Sequence, residues 1–230
     1  MLPVQPCAVV ARYPHDPKAF TQGLFWRSGL LFESTGLVGR STVRHVRLED
    51  GKVLRSAKFP RDMFGEGIAP WNDEVVGVTY QGGQGLRWDA ETLAETGRFT
   101  FEGEGWGLAS NEHSLILSDG TPVLRFLDPA TMAVRRRLPV TAGGRPLPWL
   151  NALAWRRGGI LANVLTLPAV ARIDPATGIV RGWIDLAPLV AECGGGDPEK
   201  VANGLAWDEE GARLFVTGKN WPWLYEIAID

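Results

Sequence analysis

Five short segments of the chain each place one chemically capable residue at the same point of a repeating pattern. They are Gln22-Gly23-Leu24-Phe25-Trp26, Glu66-Gly67-Ile68-Ala69-Pro70, Trp106-Gly107-Leu108-Ala109-Ser110, Asn151-Ala152-Leu153-Ala154-Trp155 and Asn203-Gly204-Leu205-Ala206-Trp207. Behind each leading residue come a small residue, an aliphatic one, and an apolar or small pair. A second set, Ser34-Thr35, Tyr80, Asp119, Leu165 and Lys219, falls where the following run of each unit ends. Phe20 and Phe64 stand two residues before ring members and can wall the same space. The collection offers a carboxylate, an ammonium, three side-chain amides and several aromatic faces. Apolar walls with a few directed polar groups are the make-up of a small-molecule site. The competing reading is architectural: the amides satisfy backbone groups at strand starts, and Glu66 and Lys219 neutralise each other.

The elements that must position these residues follow from the repeat. The segments recur about every 40 to 52 residues, the spacing of propeller blades. A tight turn follows each one: Arg27-Ser28-Gly29, Asn72-Asp73, Asn111-Glu112, Arg157-Gly158-Gly159 or Glu209-Glu210-Gly211. Next come β-rich runs over 30–33, 74–79, 114–117, 160–164 and 213–217. Later turns, such as Asp128-Pro129-Ala130-Thr131 and Asp174-Pro175-Ala176-Thr177-Gly178, have the residues that hairpins need. Four antiparallel strands per unit, with no helical periodicity of useful length, predict an all-β, five-bladed β-propeller spanning residues 1–230 as one domain. The last unit, 203–230, has only three strands, and the apolar run 4–13 is unassigned. Pairing that N-terminal strand onto the last blade completes it, closes the ring and removes two exposed edges. A sixth blade would have to lie in 187–202, where Gly194-Gly195-Gly196-Asp197-Pro198 leaves too few strands. The first strand of each blade lines the axis, so the five leading residues face one mouth of the channel. The ten Trp residues suit packing between blades and read mostly as core.

Bulk properties narrow the function classes. A net charge of −2 gives no reason to expect nucleic acid or an anionic membrane as partner. Arg135-Arg136-Arg137 reads as a solvated outer strand, because strand side chains alternate between faces. No apolar run approaches the roughly 20 residues of a membrane span. The segment Met1–Pro6 lacks the basic and apolar regions of a signal peptide, which fits a cytosolic protein or one whose leader has been removed. Cys7 and Cys193 match no metal or redox spacing and read as two thiols, with a single disulfide as the alternative. His15, His45 and His113 lack ligand partners at metal spacing, so no metal site is expected. The glycine-rich stretches 82–85 and 103–105 read as turns, since no strand-to-helix transition follows them.

At these residues the chain resembles the plant and bacterial type of glutaminyl-peptide cyclotransferase (glutamine cyclotransferase), a five-bladed propeller family. The resemblance is carried, in order, by Phe20-Thr21-Gln22-Gly23-Leu24, Gly39-Arg40-Ser41-Thr42-Val43-Arg44 and Phe64-Gly65-Glu66-Gly67. It continues through Glu104-Gly105-Trp106-Gly107-Leu108, Ser118-Asp119-Gly120, Ala162-Asn163-Val164 and Thr217-Gly218-Lys219-Asn220-Trp221-Pro222. The resemblance implies that an N-terminal Gln attacks its own side-chain carboxamide through its α-amine, giving pyroglutamate and ammonia. Glu66 matches the family's acid/base carboxylate; Gln22, Asn151 and Lys219 match residues that orient substrate and stabilise an oxyanion. Trp106 matches an aromatic holding the cyclising side chain, with Phe20, Phe64, Tyr80, Leu165 and Asn203 as further substrate-binding positions. No cofactor is required, with room for a structural cation on the axis, and the partners are peptides or proteins beginning with Gln. A monomer is expected.

The chain also departs from the family. Tyr80 and Leu165 stand where Trp is common, acidic residues after Asn151 are replaced by Ala152 and Ala154, and Leu167-Pro168 replaces Thr-Asp. Blade four is therefore expected to have a thinned aromatic wall. The alternative function is a non-catalytic or altered-specificity propeller that binds a peptide terminus or small amine. A protein-interaction propeller would not need Glu, Lys and Asn gathered at its axis.

Overall fold

The computed structural model describes residues 2–165, 167–194 and 196–229. Met1, Thr166, Gly195 and Asp230, which fall within the terminal units, the fourth unit and the glycine run read above, lie outside them. Hydrophobic patterning grades outward through each unit. In blade two the strand Gly65–Trp71 is almost wholly buried, Glu74–Thr79 nearly so, Gln84–Asp89 alternates, and Glu95–Thr100 is mostly solvated. A run buried on both faces must be central, and an alternating one peripheral. Each unit is thus a blade whose first strand lies innermost.

The described residues form five such antiparallel sheets, with innermost strands Thr21–Arg27, Gly65–Trp71, Leu108–Ser110, Leu150–Arg156 and Ala202–Asp208. These pack in sequence around an axis, and the fifth returns to the first. Ala8–Pro14 pairs antiparallel with Trp223–Ala228 and completes the last blade, closing the ring as expected. The apolar run before blade one is not a single strand. Val4–Gln5 instead pairs parallel with the outer edge of blade four. Pro6, which has no N–H to give a ladder, separates the two.

Two further differences have simple causes. Ala187–Gly194 is a helix, capped by Asp185 Oδ1 accepting the Ala187 N–H at 2.8 Å, with Leu189 and Cys193 buried four residues apart. Eight residues are too few for that periodicity to show in sequence. Of the ten tryptophans only Trp88 and Trp221 are buried; seven are half-buried and Trp149 is exposed. Many pack one side on a core cluster while an Arg covers the other, as Arg213 does over Trp26 and Arg12 over Trp223. The triple-Arg strand Val134–Pro139 is the outer strand of blade three, with Arg137 pairing Glu102. Cys7 and Cys193 are free thiols. Among the described residues no helix is long and apolar enough to cross a membrane.

Candidate active site

A backbone irregularity aims four of the five ring residues at the axis. The ladder between the first and second strands slips between Thr21 and Gly23, Gly65 and Ile68, Leu150 and Leu153, and Ala202 and Leu205. Gln22, Glu66, Asn151 and Asn203 sit in these bulges, which bend a strand and turn a side chain out of its face. Backbone groups released by the bulge bond to a neighbouring blade. The Gly67 N–H donates to Trp106 O at 2.7 Å, Ser34 Oγ to Glu66 O at 2.5 Å, and Ser118 Oγ to Asn151 O at 2.8 Å. Small residues follow the ring members because a Cβ on Gly67 would strike the backbone of Leu108, and one on Gly107 the carbonyl of Asn151. The repeat motif is therefore the mark of close-packed inner strands.

The polar ring forms a directed chain. Asn203 is wholly buried, and its amide donates to Thr21 O at 3.0 Å and to Gln22 Oε1 at 2.7 Å. With its oxygen so occupied, Gln22 turns Nε2 to Glu66 Oε1 at 3.0 Å. Asn203, expected among the substrate-binding positions, thus stands behind Gln22 and bonds its side chain. Glu66 Oε2 and Asn151 Oδ1 are buried without a partner. Burial pushes the Glu66 carboxyl well above the ordinary range; Lys219 pulls it down and Glu104 pushes it up. Burial lowers Lys219, while the charges of Glu66 and Glu199 hold it up. The Lys219 ammonium stands over the Phe20 ring, 4.7 Å from its centroid. Beside it, Phe20, Leu165, Pro198, Glu199, Val201 and Lys219 line a cavity of about 500 Å³. Asp119, on the same rim, turns instead to Arg125 at 3.2 Å.

Aromatic rings bound the site in a continuous arc. Centroids are 6.3 Å apart for Phe20–Phe64, 6.1 Å for Phe64–Tyr80, 6.3 Å for Tyr80–Trp106 and 6.1 Å for Trp106–Trp149. The last member is one that the sequence reading missed. The signal for it was present: Trp149 stands two residues before Asn151, as Phe20 and Phe64 do before Gln22 and Glu66. The structure makes these positions equivalent. Carbonyls of Phe20, Phe64, Trp149 and Val201 accept N–H groups of Gly36, Tyr80, Leu165 and Lys219 at 2.8, 3.0, 2.9 and 3.0 Å. Leu165 does leave its own place without an aromatic, but Trp149 stands beside it and carries the arc onto blade four. Among the described residues no three His, Cys, Asp or Glu gather as metal ligands.

The chain that carries this half-satisfied buried carboxylate inside an aromatic arc is similar to known proteins. Over 225 residues the chain is 41% identical to a glutaminyl-peptide cyclotransferase of Arabidopsis thaliana, covering 96% of this chain and 70% of that protein. A solved glutaminyl cyclase of Myxococcus xanthus superposes with a TM-score of 0.94 at 34% identity, over 100% of this chain and 99% of that one. The WD40 β-propeller domain of Doa1, at 9% identity and a TM-score of 0.52 over 90% of this chain and 63% of that one, shares the fold alone. A family model described as glutamine cyclotransferase matches residues 2–229. The chain belongs to the glutamine cyclotransferase family.

Proposed function

We propose that the protein is a glutaminyl-peptide cyclotransferase acting on peptides and proteins that begin with Gln, with Glu66 as its acid/base. The observation that carries this reading is the Glu66 carboxylate, 6% exposed, with Oε1 held by Gln22 and Oε2 unpartnered. An oxygen with nothing to bond is available to a substrate proton.

The α-amine of the bound residue attacks Cδ of its own side chain, forming the N–Cδ bond and moving charge onto the carbonyl oxygen. Glu66 takes a proton from the amine and delivers it to the departing amide nitrogen. The Cδ–N bond then breaks, ammonia leaves, and the carbonyl re-forms within a five-membered lactam. A carboxyl that burial raises well above the ordinary Glu range suits both transfers, because a shuttle must give up and regain its proton at the working pH. Lys219 and the Asn151 amide face the charge that develops on oxygen, and a preorganised donor of this kind supplies roughly 3 kcal/mol. Gln22, fixed by Asn203, keeps Glu66 in one orientation. Phe20, Phe64, Tyr80 and Trp106 wall the side chain into its cyclising conformation, and positioning counts heavily in an intramolecular reaction.

Every proton transfer and charge in this scheme has a side chain assigned to it, so the reaction requires no cofactor. A structural cation on the axis would draw on neutral oxygens, such as backbone carbonyls and side-chain amides, since no cluster of three His, Cys, Asp or Glu lies among the described residues. All ring residues come from one chain, which supports a working monomer.

The test is to incubate the purified protein with a Gln-initiated peptide and follow loss of one ammonia by mass spectrometry. Turnover is expected, and prior dialysis against a chelator should leave it unchanged. No turnover, together with thermal stabilisation by glutamine-like ligands, would move the protein to the binding class.

A further inference from the structure

Trp149 has two features that closing a propeller does not require. It is 47% exposed, and its backbone sits at φ 68°, the left-handed region where a bulky side chain is strained. Two bonds hold it there. Its N–H donates to Gly120 O of blade three at 2.6 Å, and its carbonyl accepts the Leu165 N–H of blade four at 2.9 Å. The strained backbone thus holds a large indole on the rim, 6.1 Å from Trp106 and tilted 38° to it. Neither the core clusters nor the ring of polar residues uses that face.

We propose that Trp149 is a specificity-determining residue: it packs against the side chain of the substrate's second residue and favours aromatic and large apolar ones there. The inference rests on the cyclotransferase reading of the Glu66 site and deepens it. Glu66 lies in the ring, so the N-terminal residue must reach that depth to react. Trp149 lies two residues before Asn151, just ahead of the inner strand Leu150–Arg156 of blade four, and so nearer the rim than the ring that holds Glu66 and Asn151. Strands advance about 3.3 Å per residue, close to the span of one residue of an extended peptide. A substrate chain leaving the Glu66 site therefore passes the rim with its second or third residue.

The rim is asymmetric at that point. Trp106 and Trp149 form a two-indole face on one flank. Leu165, bonded through its N–H to Trp149, also lines the cavity of about 500 Å³ that runs toward Phe20, Val201 and Lys219. A half-exposed indole backed by a second ring offers a large rigid surface at low entropic cost. The adjoining cavity leaves room for a side chain of the size that would use it.

The decisive experiment compares Gln-Phe-initiated and Gln-Ala-initiated peptides on the wild-type protein, Trp149→Gly and Trp149→Phe. Wild type should favour Gln-Phe by roughly three- to tenfold in kcat/KM. Trp149→Gly should bring that ratio to near unity, mostly through KM, while Trp149→Phe retains most of it. Glycine accepts φ 68° without strain, so Trp149→Gly should melt no lower than wild type. Calorimetric titration with pyroglutamyl-Phe and pyroglutamyl-Ala reads the same preference without chemistry. If wild type turns over neither peptide, the cyclotransferase reading fails, and the two affinities alone decide the role of Trp149. A preference ratio that Trp149→Gly leaves unchanged, in turnover and in binding, overturns the proposal. So does an equal loss on both peptides accompanied by a lower melting temperature.

Discussion

Glu33 and Glu66 are 1% and 6% exposed, both lie in blade strands near the same mouth, and each has a cation nearby, yet their ionisation is pushed in opposite directions. Burial alone would raise both. Around Glu33 it is overcome: Oε1 accepts from His15 Nε2 at 3.0 Å and Thr21 Oγ1 at 2.7 Å, and Oε2 accepts from Arg44 Nε at 2.9 Å. His15 and Arg44 hold the carboxyl down at about 2. His15 Nδ1 lies 2.7 Å from Trp221 O, so both ring nitrogens face acceptors and the imidazole carries a proton on each. Glu66 has one amide donor and one bare oxygen, and burial prevails. Equal burial therefore does not fix behaviour; the number of donors decides. Glu33 is a joint, tying the chain before blade one to Trp221, two residues beyond Lys219. Glu66 is left poised.

The largest test of this contrast is Glu66→Gln. It should cost roughly 100- to 10,000-fold in turnover of a Gln-initiated peptide. The melting temperature should change little, because Gln keeps the shape and Glu66 accepts a single side-chain hydrogen bond, from Gln22. Glu33→Gln should do the reverse. Leaving His15 buried without its counter-ion, and Arg44 with only Asp16 at 3.0 Å, should cost about 3 kcal/mol in denaturant unfolding. Its turnover loss should be far smaller than that of Glu66→Gln. A Glu33→Gln protein as stable as wild type but inactive would erase the distinction.

How far the sequence shows these sites follows from their geometry. The ring at Gln22, Glu66, Asn151 and Asn203 is legible because each bulge brings an inner strand against its neighbour, and the small residue behind it marks the spot. Blade order and closure by Ala8–Pro14 follow from counting strands. The Glu33 joint leaves no such mark: Thr21 and Arg44 reach it from the flanking strands of its own blade, His15 and Trp221 join only when the ring closes, and no periodicity links them. Trp149 falls between, since its offset from Asn151 repeats that of Phe20 and Phe64, yet Pro146-Leu147-Pro148 before it reads as loop. That Asn203 is wholly buried and bonds Gln22 depends on packing, which residue type does not reveal.

The contrast also has a pH signature in stability. Glu33 is depressed, so its contribution is present above the ordinary Glu range and is lost as pH falls toward about 2. His15 is raised above 6.5 by Glu33 and the Trp221 carbonyl, against burial that would lower it. Its contribution is complete below the unfolded value and is lost as pH rises through the folded one. Thermal melts across pH should fall at both ends for wild type, and Glu33→Gln should flatten both limbs.

The finest test asks whether Glu66 is poised by the neighbours named here. If its carboxylate is the base, kcat/KM rises with pH as the proton leaves, on a limb above the ordinary Glu value of 4.5. Lys219 lowers that pKa and Glu104 raises it. Lys219→Met should therefore move the limb of the remaining activity to higher pH, and Glu104→Gln should move it lower. The second change is mild by design, since Gln keeps an acceptor for the Trp106 indole N–H, now bonded to Glu104 at 3.0 Å. Simple damage to the pocket would lower the whole profile without displacing it. Opposite displacements from the loss of opposite charges require that the titrating group lie between them, and Glu66 is the buried carboxylate on which both act.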